Sequence, residues 1–144
     1  MIFIIIFIVL FLDQLTKLIA TNNLILNKSF PVIKGIFHFT LVYNRGAAFG
    51  LLKGQIPLFV FTSIFAIILV LLAIRDYKEK KISLQVFALS LILAGGLGNL
   101  IDRIFLGYVV DFLDFRIWPV FNIADSAITI GAVLLGWTIL KGMK

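Results

Sequence analysis

The residues best suited to carry chemistry are acids near the C-terminal end of the chain. Asp111, Asp114 and Asp125, three of the seven acidic residues, lie among aromatic and aliphatic side chains close to an almost wholly apolar segment. A carboxylate at a membrane boundary is costly to keep, so it is a functional candidate. The chain has no cysteine and one histidine, His38, which excludes thiolate nucleophiles, disulfides and thiolate metal sites and disfavours a histidine-rich metal centre. Hydrolysis would therefore have to use the carboxylates themselves.

A pair of carboxylates is able to hydrolyse a peptide without a covalent intermediate. Two carboxylates held close cannot both ionise cheaply, so one keeps a proton while the other acts as a base toward water. The protonated one polarises and then protonates the carbonyl oxygen. A second interpretation of Asp125 stays open, because Asn122, three residues earlier, makes a capping pair with it for the last helix. Asp114, two residues before Arg116, is interpreted as a solvated or arginine-paired residue.

The composition places the chain in a membrane. Of its 144 residues 62% are hydrophobic and 14% charged, with a mean hydropathy of +1.15, whereas a soluble domain is about half apolar and about a quarter charged. The length admits a single domain, 1–144. The 13 basic residues outnumber the acidic ones but are scattered along the membrane borders. They predict contact with anionic lipid headgroups rather than with nucleic acid.

Four apolar segments, at about 2–20, 56–74, 82–101 and 123–140, are long enough to span a bilayer as helices. Residues 75–81 carry four basic side chains, so this loop is predicted to be cytoplasmic. An even number of spans then places both termini in the cytoplasm and both 21–55 and 102–122 on the opposite side. The sequence therefore predicts an all-α membrane protein whose polar candidates converge at its extracytoplasmic face.

The segment 21–55 is the longest stretch without a spanning candidate. Residues 37–43 alternate apolar with other side chains, which predicts a half-buried strand. The small, apolar run 46–52 predicts a short interfacial or re-entrant piece. Asn44 lies beside a tight turn, where its amide either fixes backbone or substrate groups or is an ordinary turn residue.

Two further groups of polar residues lie at the ends of the first and third spans. Asp13 and Lys17 are four apart and share a helix face, either as a pair that lowers the cost of insertion or as a support for a polar site. Asn99 and Asp102 are three apart and also share a face, with Arg103 just beyond. They follow a run of small residues, so a packing motif with an interfacial ion cluster is the alternative to a functional role.

Five sequence blocks, in order along the whole chain, resemble those of the bacterial lipoprotein signal peptidases, also called signal peptidase II. The blocks are Asp13-Gln14-Leu15-Thr16-Lys17, Asn44-Arg45-Gly46-Ala47-Ala48-Phe49-Gly50, Gly98-Asn99-Leu100-Ile101-Asp102-Arg103, Val109-Val110-Asp111-Phe112 and Phe121-Asn122-Ile123-Ala124-Asp125. Each block alone is weakly specific, but five at suitable spacing are highly specific.

The resemblance implies a membrane aspartic endopeptidase of the bacterial inner (cytoplasmic) membrane. Its substrates would be diacylglyceryl-modified prolipoproteins, cut just before the lipid-bearing cysteine. Asp111 and Asp125 match the catalytic aspartates. The positions that match supporting or substrate-binding residues are Asp13, Lys17, Asn44, Gly46, Asn99, Asp102, Arg103, Asn122 and Ala124. The resemblance also implies an extracytoplasmic β-cradle and sensitivity to globomycin-type inhibitors. We expect a monomer without cofactor or metal.

Two other classes of protein compete with this interpretation. A small ion-coupled transporter or channel would relay ions through buried acids spread over the depth of several spans. Here the second and third predicted spans carry no acid, and the polar candidates lie at one face. A purely structural membrane subunit would not need so many polar residues on one side.

Overall fold

The computed structural model describes residues 2–46, 54–75 and 83–142. Four helices and three strands follow one another along these parts of the chain. They are α1 (Ile2–Asn23), β1 (Ser29–Ile33), β2 (Phe37–Asn44), α2 (Ile56–Arg75), α3 (Leu84–Phe105), β3 (Val109–Asp114) and α4 (Ile123–Gly142). All four helices are long and apolar enough to cross a membrane, with mean hydropathies between 1.8 and 2.8. The prediction of four spanning helices is confirmed.

The helix α3 forms the centre of the bundle and packs against each of the other three helices. Its small residues allow the close contact with α4. A Cβ atom placed on Gly95 would clash with the Ala124 carbonyl oxygen of α4, and one on Gly131 of α4 would lie 2.7 Å from the Ala88 carbonyl oxygen of α3. Gly98 faces α1, where a Cβ would lie 2.5 Å from Asp13 Oδ2. By contrast, α2 packs mainly on α3 and has no buried side chain. The apolar surface that α2 leaves exposed suits contact with lipid.

The boundaries of the helices differ from the predicted spans mainly at α3. This helix was predicted to end at Ile101, but it continues to Phe105, so Asp102 and Arg103 lie in its last turns rather than in a loop. At its other end Ser83 accepts a hydrogen bond from the backbone N–H of Val86 and caps the helix. The first helix also continues past its predicted end, to Asn23. Polar residues in these final turns were the reason for the shorter prediction.

The three strands form an antiparallel sheet in the order β1-β2-β3. The strand predicted at 37–43 is confirmed as β2, the central strand. The alternating pattern is absent from β1, which contains Pro31, and from β3, whose residues 109–112 are almost wholly buried. Of the interfacial segment predicted at 46–52, residues 47–52 lie outside the described residues. The β-cradle implied by the family resemblance corresponds to this sheet.

The sheet joins the helices through a small apolar core. Ala20 in the outer part of α1 packs against Leu41 of β2 and against Val110 and Phe112 of β3. Burying the leucine, valine and phenylalanine side chains of this core contributes roughly 1.5–3 kcal/mol each. This core fixes β3, and with it Asp111, against the end of the helical bundle.

Candidate active site

Asp111 is held on β3 by the neighbouring strand. The register pairs Val42 with Asp111 and Asn44 with Val109, so the Asn44 side chain lies diagonally opposite the carboxylate. Asn44 Nδ2 donates a hydrogen bond of 3.0 Å to Asp111 Oδ2, while Asn44 Oδ1 accepts one of 3.0 Å from the Gly46 backbone N–H. The turn therefore fixes the amide in the orientation that donates to Asp111. Asn44 is thus a turn residue that fixes a backbone N–H and also donates to the carboxylate, while a contact of its amide with substrate stays a prediction.

Asp125 lies in the first turn of α4 and forms a reciprocal cap with Asn122. Asn122 Oδ1 accepts from the Asp125 backbone N–H at 2.8 Å, and the Asn122 backbone N–H donates to Asp125 Oδ2 at 3.3 Å. The predicted capping pair is thus present. It uses only one carboxylate oxygen, because Asp125 Oδ1 accepts a 2.7 Å hydrogen bond from Asn99 Nδ2 of α3.

One residue, Asn122, connects the two carboxylates. Its side-chain Nδ2 lies 2.8 Å from Asp111 Oδ1 and also within hydrogen-bond distance of Asn99 Oδ1 and of the Val110 carbonyl oxygen. Its backbone N–H donates a hydrogen bond to Asp125 Oδ2. Asn122 is completely buried. Asn122 therefore couples the position of Asp111 to that of Asp125.

A buried ion cluster lies behind the carboxylates. Lys17 Nζ is 2.8 Å from Asp13 Oδ2 and 2.9 Å from Asp102 Oδ2, and it donates to Asn99 Oδ1 at 3.1 Å. All four side chains are buried. Buried charges are tolerated when they are paired and hydrogen-bonded, as they are here. The shared face predicted for Asp13 and Lys17 is confirmed, and the pair lies inside the protein in contact with α3.

The acids of this cluster also fix backbone groups of the site. Asp13 Oδ1 accepts a 2.9 Å hydrogen bond from the Ala124 backbone N–H, next to Asp125. Asp102 Oδ2 accepts one of 3.0 Å from the Val110 backbone N–H, next to Asp111. Each acid therefore holds the backbone one residue before a candidate carboxylate.

Gln14 is the member of this network that sequence reasoning did not select. Its Nε2 atom lies 3.1 Å from an oxygen of Asp13 and of Asp102 and 3.3 Å from the Gly98 carbonyl oxygen. In the sequence, nothing distinguishes Gln14 from a glutamine that simply lies at the membrane interface. The signal that could have identified Gln14 is its position between Asp13 and Lys17, in the first of the five blocks that resemble the family.

A cavity of about 240 Å³ opens in front of both carboxylates. Asp111, Asp125, Asn99 and Arg103 supply its polar wall. The rest of its lining is Asn44, Gly46, Val109, Trp118, Pro119, Val120, Phe121 and Thr129. The guanidinium of Arg103 lies 5.4 Å from the centre of the Phe59 ring of α2, so α2 helps to position this cation. The arrangement offers a small space with two carboxylates, a cation and amide groups.

The pKa of Asp111 is raised from 3.8 to about 7, mainly by burial and next by the nearby charge of Asp125. The hydrogen bonds from Asn44 and Asn122 and the charge of Lys17 act in the opposite direction but do not cancel the effect. Only 2% of Asp111 is exposed. Asp111 is therefore largely protonated below about pH 7, and Asp125 lines the same cavity. Such a pair has the acid and the base that hydrolysis of an amide requires.

Of the two interpretations of Asp114, the arginine-paired one is confirmed and the solvated one is wrong. The residue is paired with Arg116, whose Nη1 is 2.9 Å from Asp114 Oδ2, but it is buried rather than solvated. The burial comes from β2, where Thr40 Oγ1 lies 2.7 Å from the same oxygen. Burial alone would raise the pKa of Asp114, yet the hydrogen bonds from Thr40 and Arg116 and the guanidinium charge lower it below its ordinary value. Asp114 is thus an ionised structural residue of the sheet.

The structure brings all of the predicted site residues together. Asp111 and Asp125 face one cavity with Asn44, Gly46, Asn99 and Arg103. Behind them lie Asp13, Lys17, Asp102, Asn122 and Ala124, joined by the hydrogen bonds given above. Within the described residues, no three carboxylate or imidazole groups converge as metal ligands.

Comparison with known proteins identifies the family. The model of the family described as signal peptidase (SPase) II matches residues 5–141. The chain belongs to this family. The lipoprotein signal peptidase of Halothermothrix orenii is 49% identical over 135 residues, which cover 94% of this chain and 92% of that protein. The lipoprotein signal peptidase of Moorella thermoacetica is 49% identical over 132 residues, or 92% of this chain and 87% of that protein.

Solved structures agree with this result. A bacterial membrane enzyme determined by the in meso method at 2.3 Å superposes with a TM-score of 0.92 at 36% identity, over 99% of this chain and 89% of that one. A second, at 1.9 Å, gives a TM-score of 0.87 at 37% identity, over 97% and 92% of the two chains. Membership of the signal peptidase II family makes this chain a protease. The alternative of an ion-coupled transporter or channel finds no support.

Proposed function

We propose that this chain is an aspartic lipoprotein signal peptidase that removes the signal peptide from diacylglyceryl-modified prolipoproteins, cutting before the lipid-bearing cysteine. The observation that carries the proposal is the pair Asp111 and Asp125, which face one cavity and are both bound by Asn122. The family supplies the class of reaction, and this pair supplies groups that are able to perform it.

The two carboxylates have different roles in the proposed mechanism. Asp111, whose pKa is raised to about 7, carries the proton and donates it to the oxygen of the scissile carbonyl. Asp125 accepts a proton from a water molecule, whose oxygen attacks the carbonyl carbon. When the tetrahedral intermediate collapses, the C–N bond breaks and Asp125 gives its proton to the departing amine. Asp111 recovers its own proton as the carbonyl re-forms, so no covalent enzyme intermediate arises.

The other site residues position this pair. Lys17 donates a hydrogen bond to Asn99, and Asn99 donates one to Asp125. The Asn99 amide therefore connects the buried cation to the Asp125 carboxylate by hydrogen bonds. Asp13 and Asp102 hold the backbone beside the two carboxylates. Arg103 lines the cavity and is the cation available to a developing oxyanion. Every one of these residues comes from a single chain, so a monomer suffices.

The surface beside the cavity suits a lipid-bearing peptide. A groove of about 510 Å³ shares Trp118, Phe121, Asp125 and Thr129 with the cavity and continues along α4 to Ile130. Its lining is mostly apolar, and α4 is apolar enough to cross the membrane. A substrate that lies in the bilayer is therefore able to approach the carboxylates from the side. Globomycin-type inhibitors are expected to compete for this space.

The basic loop 75–81 supports an orientation in the bacterial inner (cytoplasmic) membrane with both termini in the cytoplasm. The sheet, the cavity and both carboxylates would then lie at the extracytoplasmic face. Lipoprotein precursors whose signal peptides span the membrane present their cleavage site at that face.

The direct test is incubation of the purified protein with a diacylglyceryl prolipoprotein, with and without globomycin. We expect cleavage before the modified cysteine, and inhibition by globomycin. The control substrate is the same precursor without the diacylglyceryl group, which should be cleaved much more slowly. Absence of cleavage of the lipid-modified precursor by folded protein would overturn the proposed function.

A further inference from the structure

The hairpin formed by β1 and β2 has a polar face that is internally hydrogen-bonded. Ser29 Oγ lies 2.7 Å from His38 Nδ1 and 3.0 Å from Thr40 Oγ1, and Thr40 Oγ1 lies 2.7 Å from Asp114 Oδ2 of β3. Arg116 completes the row by its ion pair with Asp114. These contacts place all of these side chains on one face of the sheet.

The opposite face of the same hairpin is apolar. The register pairs Phe30 with Phe39 and Ile33 with Phe37, which lie two apart on β2 and so share one face of the sheet. An irregularity between Pro31 and Ile33 shifts the alternation of β1, so Ile33 lies on the same face as Phe30. The ring of Phe37 contacts that of Phe39, with centroids 5.3 Å apart, and that of Phe115, with centroids 5.0 Å apart. Phe30 and Ile33 extend this face to the edge of the sheet, where 63% and 52% of their surfaces are exposed.

The apolar face lies over two of the membrane-spanning helices. Phe39 lines a cavity of about 310 Å³ together with Ile19 of α1 and Leu24, which directly follows that helix. Phe115 lines the groove that continues to Ile130 of α4. Ile19 and Ile130 are exposed, and both belong to helices apolar enough to cross the membrane. The apolar face of the hairpin therefore continues the lipid-facing surfaces of α1 and α4.

Charged residues at the two ends of β1 indicate how deep the strand lies. Lys28 and Lys34 flank the strand and are exposed. Lysines beside an apolar surface are typical of elements that lie in the headgroup region, where the ammonium groups meet anionic lipid. The strand begins soon after α1 ends at Asn23, so the chain between them is too short to carry the hairpin far from the bilayer.

We propose that the β1–β2 hairpin is an interfacial membrane anchor whose apolar face, with Phe30 and Ile33 at its edge, is covered by phospholipid acyl chains. Lys28 and Lys34 bind the headgroups of the same lipids, and the polar face with His38 and Thr40 stays in water. The anchor fixes the sheet, and hence β3 with Asp111, at a constant depth relative to the helices. This proposal does not depend on the proposed peptidase activity.

Spin labels measure which face meets lipid. Because the chain contains no cysteine, single variants Phe30→Cys, Ile33→Cys and Pro31→Cys are labelled with a nitroxide. The labelled proteins are reconstituted at high lipid excess in vesicles of phosphatidylcholine and phosphatidylglycerol. Pro31 is the matched control, because it is exposed and pairs with His38 on the opposite face. Collisions with oxygen, which concentrates in the bilayer, are compared with collisions with a water-soluble nickel chelate.

We expect the oxygen-to-nickel collision ratio at positions 30 and 33 to be several-fold higher than at position 31. Equal ratios at all three positions would overturn the proposal, since the two faces of the strand would then meet the same environment. Dipolar broadening at positions 30 and 33 that unlabelled protein relieves would also overturn it, because a second copy would then cover the strand.

A second measurement guards against disturbance by the labels. In a Trp118→Phe/Trp137→Phe background, the conservative variant Phe30→Trp places the only tryptophan at the apolar edge. Lipids brominated high on their acyl chains should quench its fluorescence several-fold more than that of Pro31→Trp. Equal quenching in the two variants would contradict the proposal.

Discussion

Asp13 Oδ1 accepts a hydrogen bond of 2.9 Å from the backbone N–H of Ala124, so a carboxylate of α1 holds the first turn of α4 directly beside Asp125. The other oxygen of Asp13 forms the 2.8 Å ion pair with Lys17. Asp13 thus both holds the backbone beside Asp125 and neutralises the buried charge of Lys17. This link makes the ion cluster testable by both stability and activity.

Exchange of the ion pair, Asp13→Lys with Lys17→Asp, should abolish activity although the net charge is unchanged. The exchange replaces the acceptor of the Ala124 N–H by a cation.

Lys17→Met alone should lower the free energy of unfolding by about 3–5 kcal/mol, because it leaves two buried carboxylates without their cation. Thermal unfolding in detergent and cleavage of a lipid-modified precursor are the measurements. Full activity of the exchanged protein would mean that the pair only eases insertion.

Gly98 should not tolerate a side chain. An added Cβ would lie 2.5 Å from Asp13 Oδ2 and 3.3 Å from Ala124 Cβ. Gly98→Ala should therefore lower the free energy of unfolding by about 1–3 kcal/mol and reduce the rate of cleavage. Gly136→Ala is the matched control, since nothing lies within 4 Å of a Cβ there, and it should leave stability unchanged or raise it by up to about 1 kcal/mol, because alanine favours a helix over glycine. Equal effects of the two substitutions would contradict the packing of α3 on α1 and α4.

Asp111→Asn should make the protein more stable at alkaline pH. The folded state raises the pKa of Asp111 from 3.8 to about 7, so between these values it holds a proton that the unfolded state has released. Stability contributed by this residue is present below pH 3.8 and is lost as the pH rises through about 7. At about 1.36 kcal/mol per unit the loss amounts to roughly 4 kcal/mol.

The pH dependence of unfolding in the two proteins checks this effect. At pH 8 the Asp111→Asn protein should unfold at a higher temperature than the unsubstituted protein, and the difference should shrink as the pH is lowered. The same pH dependence in both proteins would show that Asp111 is not the group that titrates.

Cysteines at Lys80 and Gly54 should be labelled from opposite sides of intact cells, with Gly54 accessible from outside. The physical reason is the retention of the basic loop 75–81 in the cytoplasm. The chain has no native cysteine, so each label reports one position. If a membrane-impermeant reagent labelled both positions equally from one side, the orientation with four spans would be wrong.

Hydropathy was sufficient to predict the four helices, because a spanning helix must satisfy its backbone internally and present apolar side chains to lipid. The ends of α1 and α3 were less predictable. Asp102 and Arg103 look like loop residues in the sequence, yet they continue α3 because their charges are bound inside the protein by Lys17 and Phe59. Local composition does not contain such contacts.

The site was predictable as a set of residues, but not as a geometry. The matched blocks named Asp111, Asp125 and their supports, and the spacing of Asn122 and Asp125 indicated the cap. Nothing in the sequence shows that Asn122 also reaches Asp111, since that contact depends on β3 packing against α4. The burial of Asp114 was missed for a similar reason, because its partner Thr40 lies on another strand.

The central claim is that Asp111 and Asp125 act as one catalytic unit, and single-turnover cleavage of a diacylglyceryl prolipoprotein tests it most directly. Asp111→Asn and Asp125→Asn should each fold and lose nearly all cleavage, and the double variant should be hardly slower than either one. The unsubstituted protein should show a bell-shaped pH profile whose two apparent pKa values belong to the pair. Asp114→Asn, which alters only the polar face of the sheet, should keep substantial activity per folded molecule. Cleavage by Asp111→Asn or Asp125→Asn at nearly the unsubstituted rate would contradict the account.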